Sequence, residues 1–145
     1  MDEVKRFSLI KPTIRTPFHI DFEWWKQHDT NWRVHLQSCL CAEHQEYFSK
    51  MDTNVQIDYV DPNTAEVQCV DGIQHTLMTH CAKQPDFITD HTTLVDTVFR
   101  CFLSNGNRPL TPEQLGEQLG RSPDMILRTL SGAVVYKGIR PCQNP

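Results

Sequence analysis

The sequence predicts an α+β protein, and three observations predict it. Apolar residues recur with a helical period behind recognisable caps in several segments. One segment switches to strict two-residue alternation around a Pro turn. A short apolar stretch, Val134 to Tyr136, is followed by Lys137-Gly138 and Ile139-Arg140, which reads as a strand, a turn and a return. The expected organisation is an extended arm over 1–17, a helical and hairpin region over 18–88, and a second module over 89–145.

In the arm, Pro12 and Pro17 prevent regular helix, and Phe7, Leu9, Ile10 and Ile14 offer apolar contacts to the body. From Phe18 the pattern reads as helical. Asp21 is the expected N-cap, with Phe22, Trp24, Trp25, Trp32 and Leu36 as the apolar side. His28-Asp29-Thr30-Asn31 interrupts this run, and Thr30 or Asn31 caps a second segment through Ser38. Ala42 to Met51 forms a further helix presenting Tyr47, Phe48 and Met51. The period then becomes two: Val55, Ile57 and Tyr59 alternate with Gln56 and Asp58, Asp61-Pro62-Asn63-Thr64 turns, and Val67 and Cys69 return. Asp71-Gly72 ends the hairpin, and a helix follows from Ile73 to about Cys81, closed by Pro85.

The final part has the firmest punctuation. Thr89 or Asp90 caps a helix whose wide face holds Leu94, Val95, Val98, Phe99, Phe102 and Leu103, and Asn105-Gly106 ends it. Thr111-Pro112-Glu113-Gln114 is a capping box with Pro in the first turn, leading to Leu115 and Leu119 before Gly120. Ser122-Pro123 opens a third helix with Met125, Ile126, Leu127 and Leu130, and Gly132 stops it. The stretch LTPEQLGEQLGRSPDMILRTLSGAVVYKGI and its flanks, residues 91–140, resemble a winged helix-turn-helix domain. That resemblance implies duplex DNA as a partner and places Arg121, Ser122, Met125, Arg128 and Thr129 on the outward face of the recognition helix. It also puts Lys137 and Arg140 near the wing.

Charge is uneven along the chain. Residues 1–98 hold 8 Lys+Arg against 15 Asp+Glu, and residues 99–145 hold 6 against 3. An acidic front and a basic back suit two parts with different partners. The net +3 of residues 99–145 is modest for a DNA reader and the whole chain is acidic at −4, so a module that contacts a protein partner or a second copy instead of DNA is the competing expectation.

Six cysteines stand in a chain whose start, MDEVKRFSLI, lacks the pattern of a secretory leader. A cytoplasmic setting is therefore expected, where such cysteines are metal ligands or buried thiols. Cys41 and His44 have the C-x2-H spacing that brings two donors to one point at the start of a helix. His80-Cys81 supplies the second half some 36 residues later. Adjacent residues on a continuous helix diverge by about 100°, so both can ligate only if the helix ends between them. Otherwise Cys39 or His75 completes the set. A structural zinc is the expected occupant, with an iron–sulfur redox sensor as the alternative. Cys69 and Cys101 suit packing, and Cys142 an exposed thiol.

Several classes are excluded or disfavoured. No apolar run approaches the roughly 18 residues that span a membrane. There is no Gly-rich phosphate loop, G-x-S-x-G or H-E-x-x-H, and the Asp21/Glu23 carboxylates beside Trp24-Trp25 diverge on a helix. No enzymatic activity is expected.

Overall fold

The computed structural model describes residues 11–50, 56–89 and 91–142. The expected contacts of Phe7, Leu9, Ile10, Met51 and Val55, and the capping role of Asp90, lie outside these residues. Among the described residues the fold is mixed α+β, with seven α-helices and two small antiparallel sheets.

Strand β1 (Phe18–Ile20) opens the fold. The helical pattern expected from Phe18 therefore starts later, at α1 (Phe22–His28), where the Asp21 side chain accepts from the Trp24 N–H as N-cap. After the interruption, α2 (Trp32–Ser38) follows Asn31, and a tight link leads to α3 (Ala42–Ser49). The hairpin forms as the alternation requires: β2 (Gln56–Val60) pairs antiparallel with β3 (Val67–Asp71), Ile57 opposite Val70 and Val60 opposite Val67. Helix α4 (Gly72–Thr79) begins directly at the end of β3, its N-cap Asp71 accepting from Gln74 N at 2.9 Å. The other Asp71 oxygen holds Arg33 of α2 at 2.6 Å, which fixes the hairpin to the helices. A 3-10 turn (Cys81–Lys83) follows α4.

Three helices complete the chain. Helix α5 (Leu94–Ser104) is capped by Thr93, four residues after the expected Thr89. The capping box at Thr111/Gln114 opens α6 (Pro112–Leu119), and Gly120 closes it in the left-handed region at φ 66°. Ser122 caps α7 (Pro123–Leu130). Helices α6 and α7 approach closely enough that Gly116 is required. A Cβ there would lie 2.6 Å from the Arg121 carbonyl oxygen.

The expected wing is not formed. Val134 to Tyr136 makes no strand, and β4 (Ile139–Pro141) pairs with β1, Ile20 opposite Ile139, while Phe18 bridges Leu110. The cause is burial: Phe18, Ile20 and Ile139 are nearly fully buried, whereas Val134 is 57 % exposed. Pairing β4 with β1 removes three large apolar side chains from water, and a local hairpin would not. Asn107 completes this edge, its amide accepting from Ile20 N and donating to Ile20 O, both at 2.9 Å.

One buried cluster runs from Phe18 to Ile139 and draws on both halves. Trp25 lies at its centre, edge-on to Phe99 and Trp32, with its indole N–H bonded to Asp29 at 3.2 Å. Cys101 is buried as expected, but Cys69 is exposed on the hairpin and Cys142 is half-buried. No helix among the described residues is long and apolar enough to cross a membrane.

Candidate metal centre

Cys41 is the N-cap of α3, with extended backbone at φ −66° and ψ 162°, and its side chain caps no N–H. His44 follows at the third helical position. In a capping box these two positions face each other, and here the same proximity brings Cys41 Sγ to 3.2 Å from His44 Nδ1. The C-x2-H spacing thus places two donor atoms side by side, as a two-toothed chelate would need.

The second pair is set by how α4 stops. The helix ends at Thr79, and His80, its C-cap, leaves the helical region at φ −123° and ψ −63°. Cys81 then starts the 3-10 turn, closed by bonds from Lys83 N to His80 O and Gln84 N to Cys81 O. This break lets each of the two residues approach the start of α3, His80 as one of three mutually close donors and Cys81 through Cys41 and His44. Cys81 Sγ lies 3.4 Å from Cys41 Sγ and 3.6 Å from His44 Nδ1. The His80 ring stands edge-on to His44 at 4.6 Å between centroids. Donor atoms of Cys41, His44 and His80 all fall within 4.8 Å of one another, a group that can hold a metal ion.

These separations suit one small ion. Zn–S bonds near 2.3 Å and Zn–N bonds near 2.0–2.1 Å in a tetrahedron imply S···S of about 3.8 Å and S···N of about 3.6 Å. The observed 3.2, 3.4 and 3.6 Å lie within a few tenths of an ångström of those edges. Burial pushes the Cys81 thiol up to about 11. A bound cation reverses that balance, because the ligand is the thiolate.

The two substitutes weighed from sequence sit elsewhere. Cys39 is buried and lines a cavity of about 230 Å³ beside the centre, together with Cys41, Cys81, Phe87 and Arg100. The His75 ring packs on Tyr59 at 5.0 Å. Among the described residues no other cluster of metal-ligating side chains is present.

No family model, curated protein or solved structure matches the chain. The centre rests on its own geometry.

The residues expected to contact DNA divide into two sets. Arg121, Ser122, Met125 and Arg128 lie exposed at the start and along the outer face of α7, with Met125 55 % exposed. Thr129 is half-buried and donates to Met125 O at 2.9 Å. Lys137 and Arg140 are half-buried and held from within the fold. Lys137 Nζ meets Asp96 at 3.1 Å over the Phe99 ring, and Arg140 meets Asp21 at 3.1 Å over the Trp24 ring. Sequence reasoning missed both pairings because the partners lie 41 and 119 residues away. Asp96 also binds Arg100 at 2.9 Å. Burial opposes its charge, but Lys137 and Arg100 together hold the carboxyl below its ordinary value.

Proposed function

We propose that this protein is a small DNA-binding regulator built around a structural zinc centre, with Cys41, His44, His80 and Cys81 as ligands. The convergence of donors from two segments some 36 residues apart carries the proposal. Four protein ligands fill a tetrahedral site and leave no position for substrate, which is the structural class of zinc site. Separations of 3.2 to 3.6 Å among the donors of Cys41, His44 and Cys81 also suit one ion better than a cluster whose ligands spread over two or more irons. The metal would tie the start of α3 to the end of α4, and its binding energy would become folding energy for that half.

The DNA-binding part is supported by the α6–Gly120–α7 arrangement, a helix-turn-helix with Arg121, Ser122, Met125 and Arg128 outward. Phosphate contacts by Arg121 and Arg128 would give affinity that falls steeply with salt. A specific observation favours a second reading, a protein-docking module. Lys137 and Arg140 are engaged within the fold, leaving Arg121 and Arg128 beside Asp124 and the apolar Met125.

Elemental analysis of untagged protein tests the first part: about one zinc per chain is expected, lost on Cys41→Ser or His44→Ala. Retention on heparin and duplex DNA over a salt series tests the second. Tight, salt-sensitive binding that an Arg121→Ala/Arg128→Ala variant loses supports DNA recognition. No retention at low salt rejects it in favour of protein docking.

A further inference from the structure

We propose that Cys41 and Cys81 are also a modification site, a dithiol that a hydroperoxide oxidises reversibly to a disulfide. Their sulfur atoms lie 3.4 Å apart without being bonded, and both residues are free thiols. A disulfide needs about 2.05 Å, so the sulfurs must close by little more than an ångström. Neither residue lies inside an α-helix: Cys41 precedes α3, and Cys81 follows the break after α4.

Their exposure divides the roles. Cys41 is half-buried, whereas Cys81 is 1 % exposed. Both line the cavity of about 230 Å³, which is large enough for hydrogen peroxide and opens beside the sulfurs. Cys41 sulfur attacks one peroxide oxygen, the O–O bond breaks, and the departing hydroxide takes a proton and leaves as water. Cys41 is then a sulfenic acid. Cys81 sulfur attacks Cys41 sulfur, the S–S bond forms, the S–O bond breaks, and a second protonated hydroxide leaves as water. Two thiols have lost two electrons to one peroxide, and their two protons leave in the two waters.

Of the four other described cysteines, Cys69 stands on the hairpin, donating to Gln56 at 2.9 Å, Cys101 is buried beside Gln118, and Cys142 is half-buried. Cys39 is buried but lines the same cavity, which makes it the competing partner. Loss of the metal on oxidation rests on the zinc reading, because a disulfide sulfur is no longer a thiolate ligand. The dithiol itself does not depend on that reading.

The test treats the full chain, zinc-loaded, with one to a few equivalents of hydrogen peroxide. Free thiols are then alkylated, and peptides are mapped by mass spectrometry without reduction while a chromophoric chelator reads released zinc. The expected result is one linked peptide pair holding Cys41 and Cys81, one zinc released per disulfide, and both changes reversed by dithiothreitol plus zinc. Cys41 or Cys81 carried to the sulfinic acid, or linked chiefly to Cys39, overturns the proposal. If the purified protein holds no zinc, the zinc reading fails by itself. The same peroxide treatment then still decides the dithiol: a Cys41–Cys81 link upholds it, and no link rejects it. A Cys69→Ser variant keeps the map free of exposed-thiol cross-links.

Discussion

Gly116→Ala and Gly132→Ala make the same chemical change with opposite expected signs. Gly116 lies inside α6, where alanine gains about 1 kcal/mol of helix propensity over glycine. Its added Cβ would meet the Arg121 carbonyl oxygen at 2.6 Å and the Pro123 ring at 3.0 and 3.2 Å. None of these neighbours is the free end of a flexible side chain. Arg121 N already bonds to Gly116 O at 3.1 Å, so the turn is tied to the residue that would push it away. Overpacking of this kind costs about 1–3 kcal/mol, and more where backbone must move, so the propensity gain is outweighed. A net loss of about 1–2 kcal/mol corresponds to a Tm fall of roughly 2–8 °C in a chain of this size. At Gly132 the added methyl finds ordinary contacts at 3.6 and 4.0 Å, and a gain of up to about 1 kcal/mol is expected from unfolded-state entropy. Thermal and urea unfolding followed by circular dichroism, with zinc held constant, measure both variants. A Gly116→Ala protein as stable as wild type would refute the close α6–α7 approach, and with it the presentation of α7.

Chelating zinc should lower Tm. If the buffer held metal at a thousand times its dissociation constant, about 4 kcal/mol is lost, or roughly 8–16 °C, measured by calorimetry with and without chelator. Asp96→Asn should destabilise by about 1–3 kcal/mol, because it leaves Lys137 and Arg100 without their shared carboxylate. The Asp96 carboxyl is held below its ordinary value, so its contribution is complete above pH about 4–5 and is lost as pH falls through the lowered value. The variant should therefore show a shallower acid limb in urea titrations between neutral pH and pH 3. Gly138→Ala should cost about 2–4 kcal/mol, since its Cβ would lie 2.7 Å from Trp25 Cβ at a backbone φ of 74°. Loss of the near-UV Trp signal at unchanged helix content would localise that damage.

Local signals in the sequence proved legible, and distant ones did not. The Thr111/Gln114 box, Ser122-Pro123, Asp21 and the hairpin around Asp61-Pro62 each act within four residues, so their consequences follow from short-range geometry. The C-x2-H half of the candidate metal centre is of this kind, because N-cap and third helical position always face each other. His80-Cys81 was legible only conditionally, since the angle between adjacent side chains depends on where α4 ends. The pairing of β1 with β4 had no local sign: two three-residue strands 119 or more residues apart are too short to show a period. Separations of 119 and 41 residues hid the ion pairs of Arg140 with Asp21 and Lys137 with Asp96, which no charge count along the chain reveals.

The β1–β4 pair has a consequence for biosynthesis. During translation the helical punctuation from Thr93 onward acts as soon as each segment emerges, because its caps and turns are local. Phe18 and Ile20 must wait: their partners are Leu110, Asn107 and Ile139–Pro141, all synthesised roughly ninety to a hundred and twenty residues later. At bacterial-to-eukaryotic elongation speeds of about 5–20 residues per second, that leaves two apolar side chains unshielded for several seconds. A chain ending between Ser131 and Tyr136 would have every helix in place but lack β4, leaving β1 paired only through Leu110 and Asn107. That nascent intermediate is the species a chaperone would meet, and the step that closes it is the slow, high-contact-order one.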